Sequence, residues 1–210
     1  MRKLGLAAAL SVCLVTFGAH ADMGKDVYSQ GGKSPAAMAC VTCHGADGMG
    51  MAAAGFPAIA GFSAQYSINQ MQAFKLKQRT HPVMNPIVAA LTDEEIKQVS
   101  VYIEGLPTPD YPRTGRAAEA DSVGARLALR GAWDRNIPEC VSCHGPGGVG
   151  MGAAFPPLAG QHASYMVAQL NAWREGTRKN DPNDLMGHIA RSLTDSEITA
   201  VADYFSVQDQ

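Results

Sequence analysis

Two short stretches of the chain carry side chains whose order suggests covalent chemistry: Cys40-Val41-Thr42-Cys43-His44 and Cys140-Val141-Ser142-Cys143-His144. Both are Cys-x-x-Cys-His, the attachment pattern of c-type haem. In that chemistry the two thiols add to the haem vinyl groups, and the adjacent histidine reaches iron as the proximal ligand. Other uses of paired cysteines fit less well. A thioredoxin-like redox pair needs no following histidine, and neither motif lies in a βαβ pattern. A zinc ribbon sets its two knuckles roughly 15–20 residues apart, far closer than these. Neighbouring cysteines of this spacing also make poor structural disulfides. The expectation is two haem c groups, held by Cys40, Cys43, Cys140 and Cys143, with His44 and His144 on the irons.

The second axial ligand follows from an internal repeat. Gly24, Gly31, Gly45, Gly48, Gly50 and Met51 recur, like the haem motif, one hundred positions later. Phe56-Pro57 then aligns with Phe155-Pro156, Ala60-Gly61 with Ala159-Gly160, and Leu91-Thr92-Asp93 with Leu193-Thr194-Asp195. Duplicated units should ligate iron from equivalent positions. Met84 and Met186 each lie seven residues before their leucine, whereas His81 matches Asn183 and His188 matches Pro86. Met51 and Met151 also pair, but lie too close to the proximal histidines to round the haem comfortably; packing against the porphyrin is the reading left for them. Met84 and Met186 are therefore the expected sixth ligands, a set that suits electron-transfer haems of raised potential. Pro57 and Pro156 sit where a carbonyl could accept the proximal imidazole N–H; the alternative is a proline that only turns the loop.

The elements that position these groups read as helical throughout. Thr92 with Glu95, and Thr194 with Glu197, form capping boxes. Ile96, Val99 and Ile103, then Ile198, Val201 and Phe205, follow them at helical spacing. Further helices are expected around 63–78 and 162–175, where Tyr66, Phe74, Tyr165 and Trp173 read as packing aromatics. At the start, Arg2 and Lys3 precede an apolar run to Phe17 and a small-x-small site at Ala19–Ala21, the layout of a secretory signal peptide. Its removal takes Cys13 with it and leads to a periplasmic location. The chain then divides into a leader at 1–21, a first domain at 22–106, a proline-stiffened linker at 107–121 and a second domain at 122–210. Units of this size with many glycines are marginal alone, and an apolar cofactor would complete each core.

Loss of Arg2 and Lys3 moves the formal net charge from −2 to −4, and no basic stripe speaks for nucleic acid. Lys75, Lys77 and Arg79, with Arg174, Arg178 and Lys179, could steer an acidic redox partner or simply be solvated helix ends. Taken together, the twofold series of glycine, Cys-x-x-Cys-His-Gly, Phe-Pro, Ala-Gly, methionine and Leu-Thr-Asp resembles the dihaem cytochrome c4 family over nearly the whole mature chain. The second half, with Phe155–Gln161, is the nearer match; the first departs at Phe62, where the second has Gln161. The resemblance implies an all-α fold of two tandem class I cytochrome c domains related by a pseudo-two-fold. It also implies an electron carrier, not an enzyme, with redox partners such as a terminal oxidase, a cytochrome bc complex or a dehydrogenase, and it leaves peripheral membrane association open. Two alternatives remain: a dihaem subunit of a flavocytochrome-type sulfide dehydrogenase, and a catalytic dihaem enzyme such as a peroxidase or thiosulfate dehydrogenase.

Overall fold

The computed structural model describes residues 18–181 and 183–207. The expected leader falls outside them, apart from its last four residues, which enter the first helix. The ten α-helices of the described residues repeat one plan twice. In the first half α1 (Gly18–Gln30), α2 (Val41–His44), α3 (Ala64–Lys75), α4 (Met84–Ala90) and α5 (Asp93–Glu104) follow in order. In the second, α6 (Val123–Arg130), α7 (Cys140–His144), α8 (Ala163–Arg174), α9 (Leu185–Ser192) and α10 (Asp195–Ser206) do the same. Pairing of extended backbone is confined to isolated bridges among these residues. None of the helices is long and apolar enough to cross a membrane.

Local chemistry explains the helix starts. Ser63 accepts from the Tyr66 N–H and so caps α3. Thr92 and Glu95 close a reciprocal capping box on α5, and Thr194 and Glu197 do so on α10, satisfying amides that would otherwise lack partners. In each half the first helix crosses the last at a glycine. A Cβ on Gly24 would stand 2.3 Å from the Gln98 carbonyl oxygen, and one on Gly124 would stand 2.1 Å from that of Ala200. Only a missing side chain lets α1 meet α5, and α6 meet α10, at that separation.

Each half has its own apolar core. Val27, Tyr28, Phe74, Val88, Ile96, Val99 and Ile103 form the first, and Leu127, Leu129, Ile137, Met166, Ile198, Val201 and Phe205 the second. The segment 107–121 is non-helical; Thr108 packs on Gly61 of the first half, and from Tyr111 onward the segment lies along the second half. Thr114 accepts from the Gly147 N–H at 2.6 Å, Ala118 from Arg130 Nη2 at 2.7 Å, and Ala118 and Ala120 pack on the second core.

Candidate haem sites

The chain of each Cys-x-x-Cys-His motif is one turn of helix, which puts both thiols and the imidazole on a short, rigid element. Gly45 ends the turn at φ 79° and Gly145 at φ 80°, a left-handed conformation that a side chain would resist. The following loop folds back so that Gly50 donates to the His44 carbonyl at 2.8 Å and Gly150 to that of His144 at 2.7 Å. This brings a proline carbonyl to the Nδ1 edge of each ring. His44 Nδ1 lies 3.0 Å from the Pro57 carbonyl oxygen, and His144 Nδ1 lies 2.8 Å from that of Pro156. A carbonyl can only accept, so Nδ1 carries the proton and Nε2 keeps its lone pair. Burial lowers the affinity of both rings for a second proton, which keeps Nε2 available as a metal ligand.

Each imidazole faces a cavity that also reaches the matched methionine. The first, about 370 Å³, is lined by Cys40, Cys43, His44 and Met84 with Ile59, Met71, Phe74 and Ile103. The second, about 120 Å³, is lined by Cys140, Cys143, His144 and Met186 with Leu158, Leu170, Ile189 and Phe205. The structure thus brings together, twice, the four residues that the sequence singled out. All four cysteines are free. Burial pushes the Cys40 thiol up to about 11 and the Cys140 thiol up to about 12. No cluster of three or more His, Cys, Asp or Glu able to hold a metal ion forms among the described residues. Met84 and Met186 sit on the first turns of α4 and α9. Their amides are held by His81 Nδ1 at 3.3 Å and by an Asp181 carboxylate oxygen respectively. Met51 and Met151 line neither cavity. They are about half exposed, Met51 at 43% and Met151 at 51%, and contribute backbone bridges to Phe56 and Phe155.

The two cavities meet. Phe62, Tyr66, Tyr165, Gln169 and Arg178 line both, so a single layer of side chains separates them there. This wall is built with twofold regularity. Arg79 donates to Tyr165 at 2.6 Å and Gln169 at 2.8 Å, and Arg178 donates to Tyr66 at 3.4 Å and Gln70 at 2.9 Å. Arg79 lies over the Phe74 ring and Arg178 over that of Trp173, with the guanidinium carbon 3.7 Å from the latter's centroid. The backbones of Arg79 and Arg178 form an antiparallel bridge. Both side chains are buried, and burial pulls the Arg178 guanidinium below its ordinary range, helped by Arg79.

The expectation that these arginines steer a partner is therefore corrected: they hold the halves together. Lys75 and Arg174 are likewise engaged, with Asp93 and Asp195. Tyr66, Tyr165, Phe74 and Trp173 do more than pack. Sequence reading missed this network, although its signal was present: Gln70 and Gln169, and Arg79 and Arg178, recur at the same offset as the tyrosines. The departure at Phe62 and Gln161 also has a physical reason. Gln161 crosses to the other half, donating to the Ala58 carbonyl at 2.8 Å and accepting from its N–H at 3.1 Å, while Phe62 fills the wall between the cavities.

The cytochrome c family model matches residues 24–107 and 130–207. A relative from Stutzerimonas stutzeri (strain A1501), named thiosulfate dehydrogenase electron acceptor, is 61% identical over 95% of this chain and 92% of its own. Cytochrome c4 of Thiocapsa roseopersicina is 36% identical over 83% of this chain and 90% of its own. The chain is a dihaem cytochrome c of the c4 type. Among solved structures, reduced cytochrome c4 from Pseudomonas stutzeri superposes with a TM-score of 0.72 at 30% identity, covering 90% of this chain and 97% of that one. The thiosulfate dehydrogenase TsdBA from Marichromatium purpuratum gives 0.81 at 42% identity over 90% of this chain, which spans 40% of that longer one. The all-α, two-domain expectation holds.

The residues present suit haem. Each cavity is apolar and offers two thiols, a lone pair on Nε2 and a thioether. At the wall, the buried Arg79 and Arg178 hydrogen-bond phenol and amide oxygens, and no described carboxylate forms an ion pair with either; positive charge so placed suits a group that bears carboxylates. The Trp173 indole N–H, buried without a partner, lines the second cavity. Haem c supplies one-electron chemistry here, and the cytochrome carries electrons without substrate turnover.

Proposed function

We propose that this cytochrome accepts single electrons in the periplasm from a thiosulfate dehydrogenase and passes them to a respiratory acceptor such as a terminal oxidase. In this reading Cys40 and Cys43 attach the first haem, with His44 and Met84 as its axial ligands. Cys140 and Cys143 attach the second, with His144 and Met186. The observation that carries it is the pairing, in each cavity, of an imidazole with Nε2 free and a methionine on the first turn of a helix. Filling both axial positions leaves iron no open site, which favours transfer over catalysis. The choice of donor rests on the relatives. One is named for accepting electrons from thiosulfate dehydrogenase, and a solved thiosulfate dehydrogenase contains a region similar to nearly all of this chain. Two one-electron sites joined by a thin wall suit a donor that oxidises its substrate in two-electron steps.

Stopped-flow spectroscopy of the ferric protein tests the assignment. Thiosulfate with a thiosulfate dehydrogenase should reduce both haems within the enzyme's turnover, and thiosulfate alone should not. Absence of reduction by the enzyme, with chemical reductants still effective, would remove the proposed donor.

A further inference from the structure

The two haem sites differ in one buried charge. Glu139 precedes Cys140 at the start of α7, is 3% exposed and lines the second cavity. Its counterpart in the first half is Ala39. One carboxylate oxygen, Oε1, pairs with Arg116 Nε at 2.9 Å, and the other, Oε2, is buried with no hydrogen-bond partner. A carboxylate is costly to bury half-satisfied, so its retention at the cavity wall calls for an explanation.

Arg116 comes from the segment that joins the halves, and the second half is shaped to receive that segment. At Gly147 a Cβ would lie 1.9 Å from the Pro112 carbonyl oxygen; the matching residue in the first half is Asp47. At Gly160 a Cβ would lie 2.1 Å from the Tyr111 hydroxyl. With the Thr114 and Ala118 hydrogen bonds, these contacts fix the strap from 111 to 118 along the second domain and deliver Arg116 to Glu139. The arginine is 67% exposed, so water screens its charge more than that of the carboxylate.

We propose that the strap is a working part of the second haem site: the balance of Glu139 and Arg116 sets the reduction potential of the second haem and leaves the first unmoved. The proposal rests on haem attachment at Cys140 and Cys143. Reduction adds one electron and removes one positive charge from the iron centre. A nearby anion favours the oxidised form and lowers the potential, and in a site of low dielectric that effect is strong. Arg116 opposes the anion from the solvent side.

The test uses the holo-protein with Glu139→Gln and, separately, Arg116→Gln, in a spectroelectrochemical titration that resolves the two midpoints. E139Q should raise one midpoint, changing that haem's ferrous-to-ferric ratio at fixed potential about tenfold, or ~59 mV for a one-electron couple. R116Q should move the same haem the opposite way and leave the other in place. Arg116 is exposed, so R116Q decides the matter even where E139Q fails to fold. Unchanged midpoints in R116Q, or equal shifts of both haems, would overturn the proposal. Haem content by pyridine haemochrome and the methionine-to-iron near-infrared band are recorded in parallel. Loss of those signals in the unmutated protein would instead break the haem-site reading itself.

Discussion

Gln161 offers a measure of what holds the two haem domains in register. The residue is 4% exposed, and its side chain serves both polar groups of Ala58 across the interface, at 2.8 and 3.1 Å. Replacement by methionine keeps the volume, so no cavity contribution enters. It leaves the Ala58 N–H and C=O without partners, and each buried orphan costs about 1–3 kcal/mol. A polar cavity of about 290 Å³ adjoins, lined by Ala58, Thr108, Asp110 and Gln161. Water entering from there would recover part of the loss. The expected destabilisation is therefore about 2–3 kcal/mol, towards the low end of the summed penalties. Guanidinium unfolding of ferric Q161M and wild type would measure it, and hydrogen exchange would show whether the Ala58 amide has lost protection. A difference under about 0.5 kcal/mol, with that amide still protected, would refute the idea that this pair latches the domains.

Three other outcomes follow from the structure. The Arg135 guanidinium, at 2.7 and 3.0 Å, with help from the Thr194 N–H, holds Glu197 down to about 2 from an ordinary 4.5. A depressed carboxylate stabilises the fold above its unfolded value and loses that contribution as the pH falls from 4.5 towards 2. After solvent screening, E197Q should cost about 1–2 kcal/mol at pH 7 and little near pH 2, as read by denaturant midpoints at the two pH values. In G124A the new methyl would meet the Ala200 carbonyl, and forcing α6 from α10 should cost about 1–3 kcal/mol, seen as a lower thermal midpoint of the second domain. Met84→Ala and Met186→Ala should each abolish the methionine-to-iron charge-transfer band of one haem, roughly halving its intensity.

Much of this molecule is legible in one sequence because covalent haem attachment imposes a local pattern. Two thiols and a histidine must lie within one helical turn, so Cys40–His44 and Cys140–His144 declare their chemistry without reference to the rest of the chain. The duplication then acts as an internal comparison and points to Met84 and Met186. Capping boxes are also local, and those of α5 and α10 stand at the threonines where they were expected.

What lies between the domains is a different matter. Arg79 and Arg178 read as solvated charges near helix ends, because the tyrosines they bond lie in the other half, 86 and 112 positions away. The asymmetry of Phe62 and Gln161 looked like divergence, and only the crossing to Ala58 gives it a cause. Glu139 and Arg116 are 23 positions apart, in a segment whose prolines suggested a spacer. By itself the sequence determined the cofactor, the helical repeat and the candidate ligands, since each depends on contacts within a turn or on a repeated motif. The tertiary structure alone decided which charges are buried, how the two cavities share a wall, and that the connector carries Arg116 to Glu139 beside the second cavity. Those properties arise from packing between distant segments, where burial turns an ordinary charged side chain into one that must find a partner.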